Sequence, residues 1–164
     1  MLLFEKDFPA NICYDSIIAD FCSMSGKVNH DYIEELFYSE DPNQVVLFNL
    51  ESSNEFITWP CGLIYKIVKM DGVINICILY VATKYKYRGM GYASLFLKEI
   101  INHFSDKYMG EKVNIVLDGI YDSVTFYEHF GFKWEYNLTK YDDIFSIDDK
   151  NRNEHFIMCL YLYT

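Results

Sequence analysis

Residues 81–97 read VATKYKYRGMGYASLFL. The apolar start of this stretch predicts the end of a β-strand, the basic centre with Gly89 and Gly91 predicts a turn, and the residues that follow predict the first turn of a helix. A helix that begins directly after such a turn leaves several backbone N–H groups free at its positive terminus, where a phosphate or pyrophosphate can bind. The stretch therefore predicts an anion-binding loop between a strand and a helix.

Two other nucleotide-binding loops fit these residues less well. A Walker A loop requires Gly-x-x-x-x-Gly-Lys-Ser/Thr, and this string does not occur in the chain. The dinucleotide fingerprint Gly-x-Gly-x-x-Gly/Ala, started at Gly89, would have Ser94 at its third small position. That fingerprint also opens the first βαβ unit of a domain, whereas this loop lies past the middle of the chain. We therefore set both motifs aside.

The sequence pattern Arg88-x-x-Gly91-x-Ala93 after an apolar strand resembles the acetyl-CoA loop of the GNAT (Gcn5-related N-acetyltransferase) superfamily, whose signature is Arg/Gln-x-x-Gly-x-Gly/Ala. The resemblance implies acetyl-CoA as co-substrate, with its pyrophosphate on backbone N–H groups of the loop and its pantetheine arm on the preceding strand. Lys84, Lys86 and Arg88 would supply positive potential. The cofactor-binding residues that the resemblance implies are Leu79, Tyr80, Val81, Lys86, Arg88, Gly89, Met90, Gly91, Tyr92, Ala93, Ser94 and Phe126.

A second segment, residues 122–132, reads DSVTFYEHFGF and resembles the second GNAT signature, a helix that carries Phe/Leu-Tyr and ends at Gly-Phe. The resemblance implies that Tyr127 is the general acid, because a phenol is protonated at neutral pH and can donate its proton to a departing thiolate. The other interpretation of Tyr127 is that it packs with Phe126 and Phe130 against the sheet.

The general base is not fixed by the sequence. Several lysine acetyltransferases of this superfamily have a glutamate base thirteen residues before the signature arginine, and this chain has Asn75 there. An amide cannot accept a proton at neutral pH. Asp118 at the end of the next predicted strand is our tentative base, and Asp122 and Tyr80 are the other candidates. Asp122 is equally explained as a helix cap.

The apolar pattern, together with the resemblance to GNAT proteins for the finer assignment, indicates the element order β-α-α-β-β-β-α-β-α-β-β, which is the GNAT order. Asp71-Gly72 predicts a two-residue hairpin turn. Periodicity alone predicts an α/β sandwich with a mixed sheet. The resemblance to GNAT proteins implies more, an α/β (α+β) fold whose central sheet is mixed, mostly antiparallel and flanked by helices. The predicted strands are 1–5, 44–50, 56–69, 73–82, 113–118, 132–139 and 155–163, and the predicted helices are 9–24, 31–38, 90–109 and one from Asp122 or Ser123 to Phe130.

Composition limits the class of protein. The 164 residues are 51% hydrophobic and 18% aromatic, which predicts a single folded domain over 1–164. A net charge of −10 disfavours binding to nucleic acid. No apolar run is long enough to span a bilayer and no secretory signal opens the sequence, so we expect a cytoplasmic, soluble protein. The five cysteines are scattered without a Cys-x-x-Cys pair, and the sequence suggests neither a disulfide framework nor a metal site.

The function that the resemblance implies is transfer of an acetyl group from acetyl-CoA to a primary amine, in a ternary complex of enzyme and both substrates. The alternative is a non-catalytic acyl-CoA sensor or interaction module, which the missing glutamate favours. A cationic amine would suit the acidic side chains, although these are equally explained as solvated loop charges. Both a monomer and a homodimer remain open. The acidic side chains in question are Glu34, Glu35, Glu40, Asp41, Asp142, Asp143, Asp148 and Asp149.

Overall fold

A computed structural model describes residues 1–24, 28–40, 43–51, 57–120, 123–135 and 139–163. Its strands are β1 (Leu2–Phe4), β2 (Gln44–Phe48), β3 (Cys61–Met70), β4 (Val73–Thr83), β5 (Val113–Asp118), β6 (Lys133–Trp134) and β7 (Ile157–Leu162). Its α-helices are α1 (Tyr14–Ser23), α2 (His30–Phe37), α3 (Tyr92–Lys107), α4 (Val124–Glu128) and α5 (Asp142–Phe145). Within the described ranges, no helix is long and apolar enough to cross a membrane.

The strands form one seven-stranded sheet in the order β1-β2-β3-β4-β5-β7-β6. Strand β4 pairs with β5 in parallel, with Ile74 opposite Val113 and Ile78 opposite Leu117. The pairs β1–β2, β2–β3, β5–β7 and β6–β7 are antiparallel. The predicted mixed and mostly antiparallel sheet is therefore confirmed.

The hairpin turn between β3 and β4 is the one that the sequence predicts. Asp71 has φ 52° and Gly72 has φ 77°, so both central residues are in the left-handed region. A two-residue turn of this kind matches the right-handed twist of the strands that it joins, and aspartate followed by glycine tolerates it best. The turn thereby sets the register in which β4 leaves the hairpin.

The chain divides into two compact units. The first comprises Met1–Lys66 and Tyr80–Ile100. Its core is aromatic, because Phe21 is fully buried and stacks on Trp59 with 5.4 Å between ring centroids. Gly62 of β3 faces this pair, and a Cβ there would lie 2.6 Å from Cζ of Phe21. Packing in this unit therefore requires glycine at position 62.

The second unit comprises Ile67–Leu79 and Ile101–Thr164, and polar side chains lie buried within it. Asn75 is 2% exposed and Asn114, opposite it in the β4–β5 register, is 3% exposed. The Tyr141 hydroxyl donates a hydrogen bond to Oδ1 of Asn75 at 2.8 Å, and Nδ2 of Asn114 donates to the same oxygen at 3.4 Å. Nδ2 of Asn75 donates to the carbonyls of Val68 and Val73. These bonds offset the cost of burying the amides.

Two elements, α1 and β3, begin five residues later than predicted. Helix α1 begins at Tyr14 rather than at residue 9, because Ile12 N–H bonds to the Pro9 carbonyl in a separate turn. Strand β3 begins at Cys61 rather than at residue 56, directly after Pro60, whose nitrogen has no hydrogen to donate to a neighbouring strand. Residue 56, where the sequence predicts this strand to begin, and residues 52–55 between the two predicted strands lie outside the described residues.

The polar segment before the last strand contains a helix that the sequence analysis missed. Helix α5 is short, and its ends contribute three buried side chains to the core of the second unit: Tyr141 at 0%, Phe145 at 4% and Ile147 at 9% exposure. The four aspartates of the segment suggested a solvated loop, whereas its apolar residues decide its position.

Replacing Tyr141 with phenylalanine tests the buried network. We expect Tyr141→Phe to lower the free energy of unfolding by about 1–3 kcal/mol, because Oδ1 of Asn75 loses its shortest hydrogen bond inside the core. Urea unfolding would measure the change. Tyr163→Phe is the matched control, since the Tyr163 side chain is exposed and its bond to Asn114 is longer at 3.3 Å. A loss in the control as large as in Tyr141→Phe would contradict the network's role.

Candidate functional site

The predicted anion-binding loop connects β4 to α3 in the first unit. After Thr83 the chain makes a 3-10 turn over Tyr85–Tyr87, and α3 begins at Tyr92. Gly89 has φ 79° and Gly91 has φ 83°, a region that other residues adopt only with strain. Leu95 N–H makes the first helical bond, to the Gly91 carbonyl at 3.2 Å, so the N–H groups of Tyr92, Ala93 and Ser94 belong to the helix's first turn. Such groups have no acceptor inside their own helix.

Arg88 fastens this loop to the rest of the first unit. Its Nε donates to the Thr83 carbonyl at 3.1 Å, and a terminal guanidinium nitrogen donates to the Met24 carbonyl at 3.5 Å. The guanidinium also lies 3.7 Å from the centre of the Tyr85 ring, within the range of a cation–π interaction. These contacts assign to the Arg88 side chain a structural role in the loop, in addition to its charge.

The two lysines of the loop differ in their surroundings. Lys84 forms an ion pair with Asp20 at 3.7 Å and lies 3.8 Å from the centre of the Trp59 ring. Burial lowers the pKa of Lys84, and the Asp20 carboxylate opposes this shift. Lys86 is exposed beside the Tyr87 ring. Lys86 is therefore the lysine better placed to supply positive potential to a ligand of the loop.

The strand residues expected at the pantetheine arm have different environments. Leu79 is half-buried against the core of the second unit. In the first unit Val81 is half-buried, and Tyr80 is 8% exposed, with its hydroxyl donating to the Phe21 carbonyl at 3.4 Å. Burial raises the pKa of Tyr80 above its ordinary value. A hydroxyl that holds its proton so firmly is a poor general base, which disfavours Tyr80 for that role.

In the second unit, Tyr127 lies on the short helix α4 and is 8% exposed. Its ring makes edge contacts with Phe126 at 5.3 Å and with Phe132 at 5.8 Å between centroids. Within the described residues its hydroxyl has no hydrogen-bond partner. Burial raises the pKa of Tyr127 to about 12, and the negative charge of Asp118 adds to the rise. Tyr127 therefore carries its proton at neutral pH, as a general acid requires.

Asp118 ends β5 and is bonded through both carboxylate oxygens. Oδ2 lies 2.5 Å from Nδ1 of His155, and Oδ1 accepts a hydrogen bond from the Phe156 N–H at 2.9 Å. The side chains of Asp118 and His155 are 10% and 17% exposed. The sequence analysis did not identify His155, because it belongs to no motif and lies 37 residues from its partner. Asp122, another candidate base, lies outside the described residues.

Asn75 and the acidic side chains named in the sequence analysis lie in different environments. Asn75 is buried within the hydrogen-bond network described above, so its amide is structural. Asp142 is paired with Arg152, which neutralises its charge, and Asp148 accepts two backbone hydrogen bonds in its own turn. In the first unit, α2 borders an open groove of about 560 Å³ lined by Asp31, Glu34, Glu35, Tyr38 and Ser39. Asp41 lies outside the described residues.

Solved structures share this fold along nearly the whole chain. The solved chain of Gcn5 from Tetrahymena is 12% identical, over 99% of this chain and 96% of that chain, with a TM-score of 0.65. The ribosomal-protein-S18-alanine N-acetyltransferase from Escherichia coli is 13% identical, over 100% and 96% of the two chains, with a TM-score of 0.57. Naa50 from Arabidopsis thaliana, in complex with the bisubstrate analogue CoA-Ac-MVNAL, is 13% identical over 97% of each chain, with a TM-score of 0.55.

These likenesses concern three-dimensional structure alone. The sequence matches no protein-family model and no curated protein. The chain has the GNAT fold, and the fold predicted from residues 81–97 and 122–132 is confirmed.

The raised pKa of Tyr127 predicts how stability depends on pH. The unfolded chain releases the tyrosine proton near pH 10, whereas the folded protein keeps it until about pH 12, so stability falls as the pH rises through this interval. Tyr127→Phe removes this contribution. Between these pH values we expect the free energy of unfolding of the variant to fall less steeply with pH than that of the wild type. The two slopes should differ by up to about 1.4 kcal/mol per pH unit. Urea unfolding across the interval measures both slopes, and equal slopes would contradict the shift.

Proposed function

We propose that this chain, which has the GNAT fold, is an N-acetyltransferase that transfers the acetyl group of acetyl-CoA to a primary amine in a ternary complex. The observation that carries the proposal is the loop of residues 88–94, in which two glycines with positive φ lead into the first turn of α3. We further propose that residues 1–164 act as one catalytic domain. Naa50, which shares the fold, was solved with an analogue that contains CoA.

The residues of the loop fit the pyrophosphate of CoA. The N–H groups of Tyr92, Ala93 and Ser94 lie at the positive end of a helix of 16 residues, which attracts an anion. A Cβ built on Gly89 or Gly91 would have no atom of the described residues within 4 Å, so the space beside the loop's backbone is open to a ligand. The side chain of Lys86 is exposed and adds positive charge.

Acetyl-CoA supplies a thioester, whose acetyl carbon is open to attack by an amine and whose sulfur leaves as a thiolate. In the proposed reaction Tyr127 gives its hydroxyl proton to this sulfur. Its buried position and raised pKa keep the proton on the hydroxyl at neutral pH, so that this proton is present when the thiolate leaves. The net charge of −10 and the acidic groove along α2 favour a cationic amine as acceptor.

The second candidate function is an acyl-CoA sensor without catalysis, and one observation favours it. Asn75 occupies the position at which several lysine acetyltransferases of the superfamily have their glutamate, and its amide is held in the core. Release of CoA distinguishes the two candidates, because a sensor binds acetyl-CoA but does not release CoA when amines are added. Binding of acetyl-CoA is common to both candidates and is tested first.

Calorimetric titration with acetyl-CoA tests the loop. We expect saturable binding at one site and weak binding of ATP, which lacks the pantetheine arm. Gly91→Ala should weaken acetyl-CoA binding at least about tenfold, because a methyl group at positive φ strains the loop and enters the space next to its N–H groups.

Gly110→Ala is the matched control for this variant. Gly110 follows the other end of α3, has φ 85° and has equally open space at its Cβ position. Alanine there should cost a similar free energy of unfolding, about 1 kcal/mol, without changing the affinity for acetyl-CoA. An unchanged affinity in Gly91→Ala, or an equal loss of affinity in Gly110→Ala, would refute the role of the loop.

Tyr127→Phe tests the proposed acid. The variant keeps the ring and loses only the hydroxyl, so we expect the rate of CoA release to fall at least about tenfold while acetyl-CoA affinity changes little. Tyr163→Phe, at an exposed tyrosine near the end of the chain, should keep the wild-type rate. Turnover of Tyr127→Phe at the wild-type rate would rule out Tyr127 as the acid.

A further inference from the structure

The contact between Asp118 and His155 joins an acid and an imidazole that no sequence motif connects. Asp118 stands at the end of β5, and His155 immediately precedes β7, which pairs with β5. Nδ1 of His155 lies 2.5 Å from Oδ2 of Asp118, a short hydrogen bond. Both side chains are largely buried, which strengthens the electrostatic attraction between them.

The position of Asp118 is fixed independently of the histidine. Its Oδ1 accepts a hydrogen bond from the Phe156 N–H at 2.9 Å, while the Gly119 N–H donates to the Phe156 carbonyl at 2.8 Å. The carboxylate is therefore held by the backbone of the residue that follows His155. An aspartate held in this way keeps the imidazole in one orientation, as in other sites where a carboxylate supports a catalytic histidine.

An ionised carboxylate can only accept hydrogen bonds, so the hydrogen on the Asp118–His155 contact belongs to Nδ1 of the ring. In the neutral imidazole, Nε2 then carries no proton and has a free lone pair. Within the described residues, Nε2 has no hydrogen-bond partner. The ring is thus prepared to accept a proton at Nε2.

We propose that His155 is the general base of the acetyl transfer and that Asp118 is its positioning residue. This inference rests on the proposed function and replaces Asp118 as the tentative base. Both oxygens of Asp118 already accept hydrogen bonds, so its negative charge acts through the imidazole. Tyr80, the other candidate among the described residues, is less suitable, since its hydroxyl donates its hydrogen bond to the Phe21 carbonyl.

Two side chains, His155 and Tyr127, transfer the protons of the acetyl-transfer step. The acceptor reacts as the uncharged amine, after its ammonium form has released a proton to solvent. Its nitrogen forms a bond to the acetyl carbon while the bond between that carbon and sulfur breaks. Nε2 of His155 takes a proton from the nitrogen, and the Tyr127 hydroxyl gives a proton to the sulfur. The proton on His155 then returns to the Tyr127 oxygen, directly or through water, and both side chains end as they began. The net products are an amide and the free thiol of CoA.

Imidazole rescue tests the proposal, because a purely structural histidine would not respond to it. We expect His155→Ala to lower kcat for CoA release about 100-fold or more, with acetyl-CoA affinity within about twofold of wild type. Added imidazole should then restore activity at least about tenfold. His155→Gln, which keeps a polar side chain of similar length, should show the same loss of kcat. His129→Ala, at an exposed histidine outside the proposed site, should keep the wild-type kcat.

A second measurement does not depend on turnover. Long-range proton–nitrogen NMR of the histidine rings distinguishes the two neutral tautomers, and only four histidines need to be assigned. We expect His155 to carry its proton on Nδ1 in the wild type and to lose this preference in Asp118→Asn. Predominance of the Nε2–H tautomer in the wild type would overturn the proposal.

The outcomes separate this inference from the proposed function. If the wild type releases CoA to an amine and His155→Ala keeps its kcat, the His155 assignment is overturned and the acetyltransferase stands. If the wild type binds acetyl-CoA but acetylates none of a panel of primary amines, the proposed function is overturned, and the base assignment with it. Loss of kcat in both His155 variants, rescued by imidazole in His155→Ala, supports both.

Discussion

The parallel pairing of β4 with β5 is the constraint on which the loop and the buried network depend. Parallel neighbours cannot be joined by a tight turn, so the chain must cross over between them, and α3 provides this crossover. The turn into α3 requires two residues at positive φ, and Gly89 and Gly91 supply them. The same pairing sets Asn75 opposite Asn114 inside the second unit. The same parallel pairing therefore accounts for the crossover helix and for the meeting of two buried amides.

Burial of Asn75 has a chemical consequence. Its amide is saturated by two backbone carbonyls, by Asn114 and by the Tyr141 hydroxyl, so this position contributes to stability. A glutamate at the same position would bring a negative charge into the core without a cationic partner among these groups, which costs several kcal/mol. In this chain the network thus excludes a carboxylate base at position 75, and a base for the proposed reaction has to come from another element.

The sequence predicts those parts of the molecule whose signal is local. The loop, the Asp71-Gly72 turn and the helix that carries Tyr127 each depend on a few consecutive residues with defined backbone preferences. Helix α5 was missed because four aspartates outweighed the apolar residues that bury it, and burial depends on tertiary contacts. His155 was missed for the same reason, since its role follows only from the register that brings β7 next to β5.

In the proposed reaction a single carboxylate prepares both proton-transfer groups. The negative charge of Asp118 disfavours ionisation of Tyr127, which keeps the proton on the hydroxyl, and in the neutral His155 ring the hydrogen bond from Nδ1–H to Asp118 places the free lone pair on Nε2. One residue at the end of β5 therefore acts on both the proposed acid, which must carry a proton, and the proposed base, which must accept one. The hydrogen bond from the Phe156 N–H holds Asp118 in place. The pairing of β5 with β7 therefore positions the carboxylate that acts on both proposed proton-transfer groups.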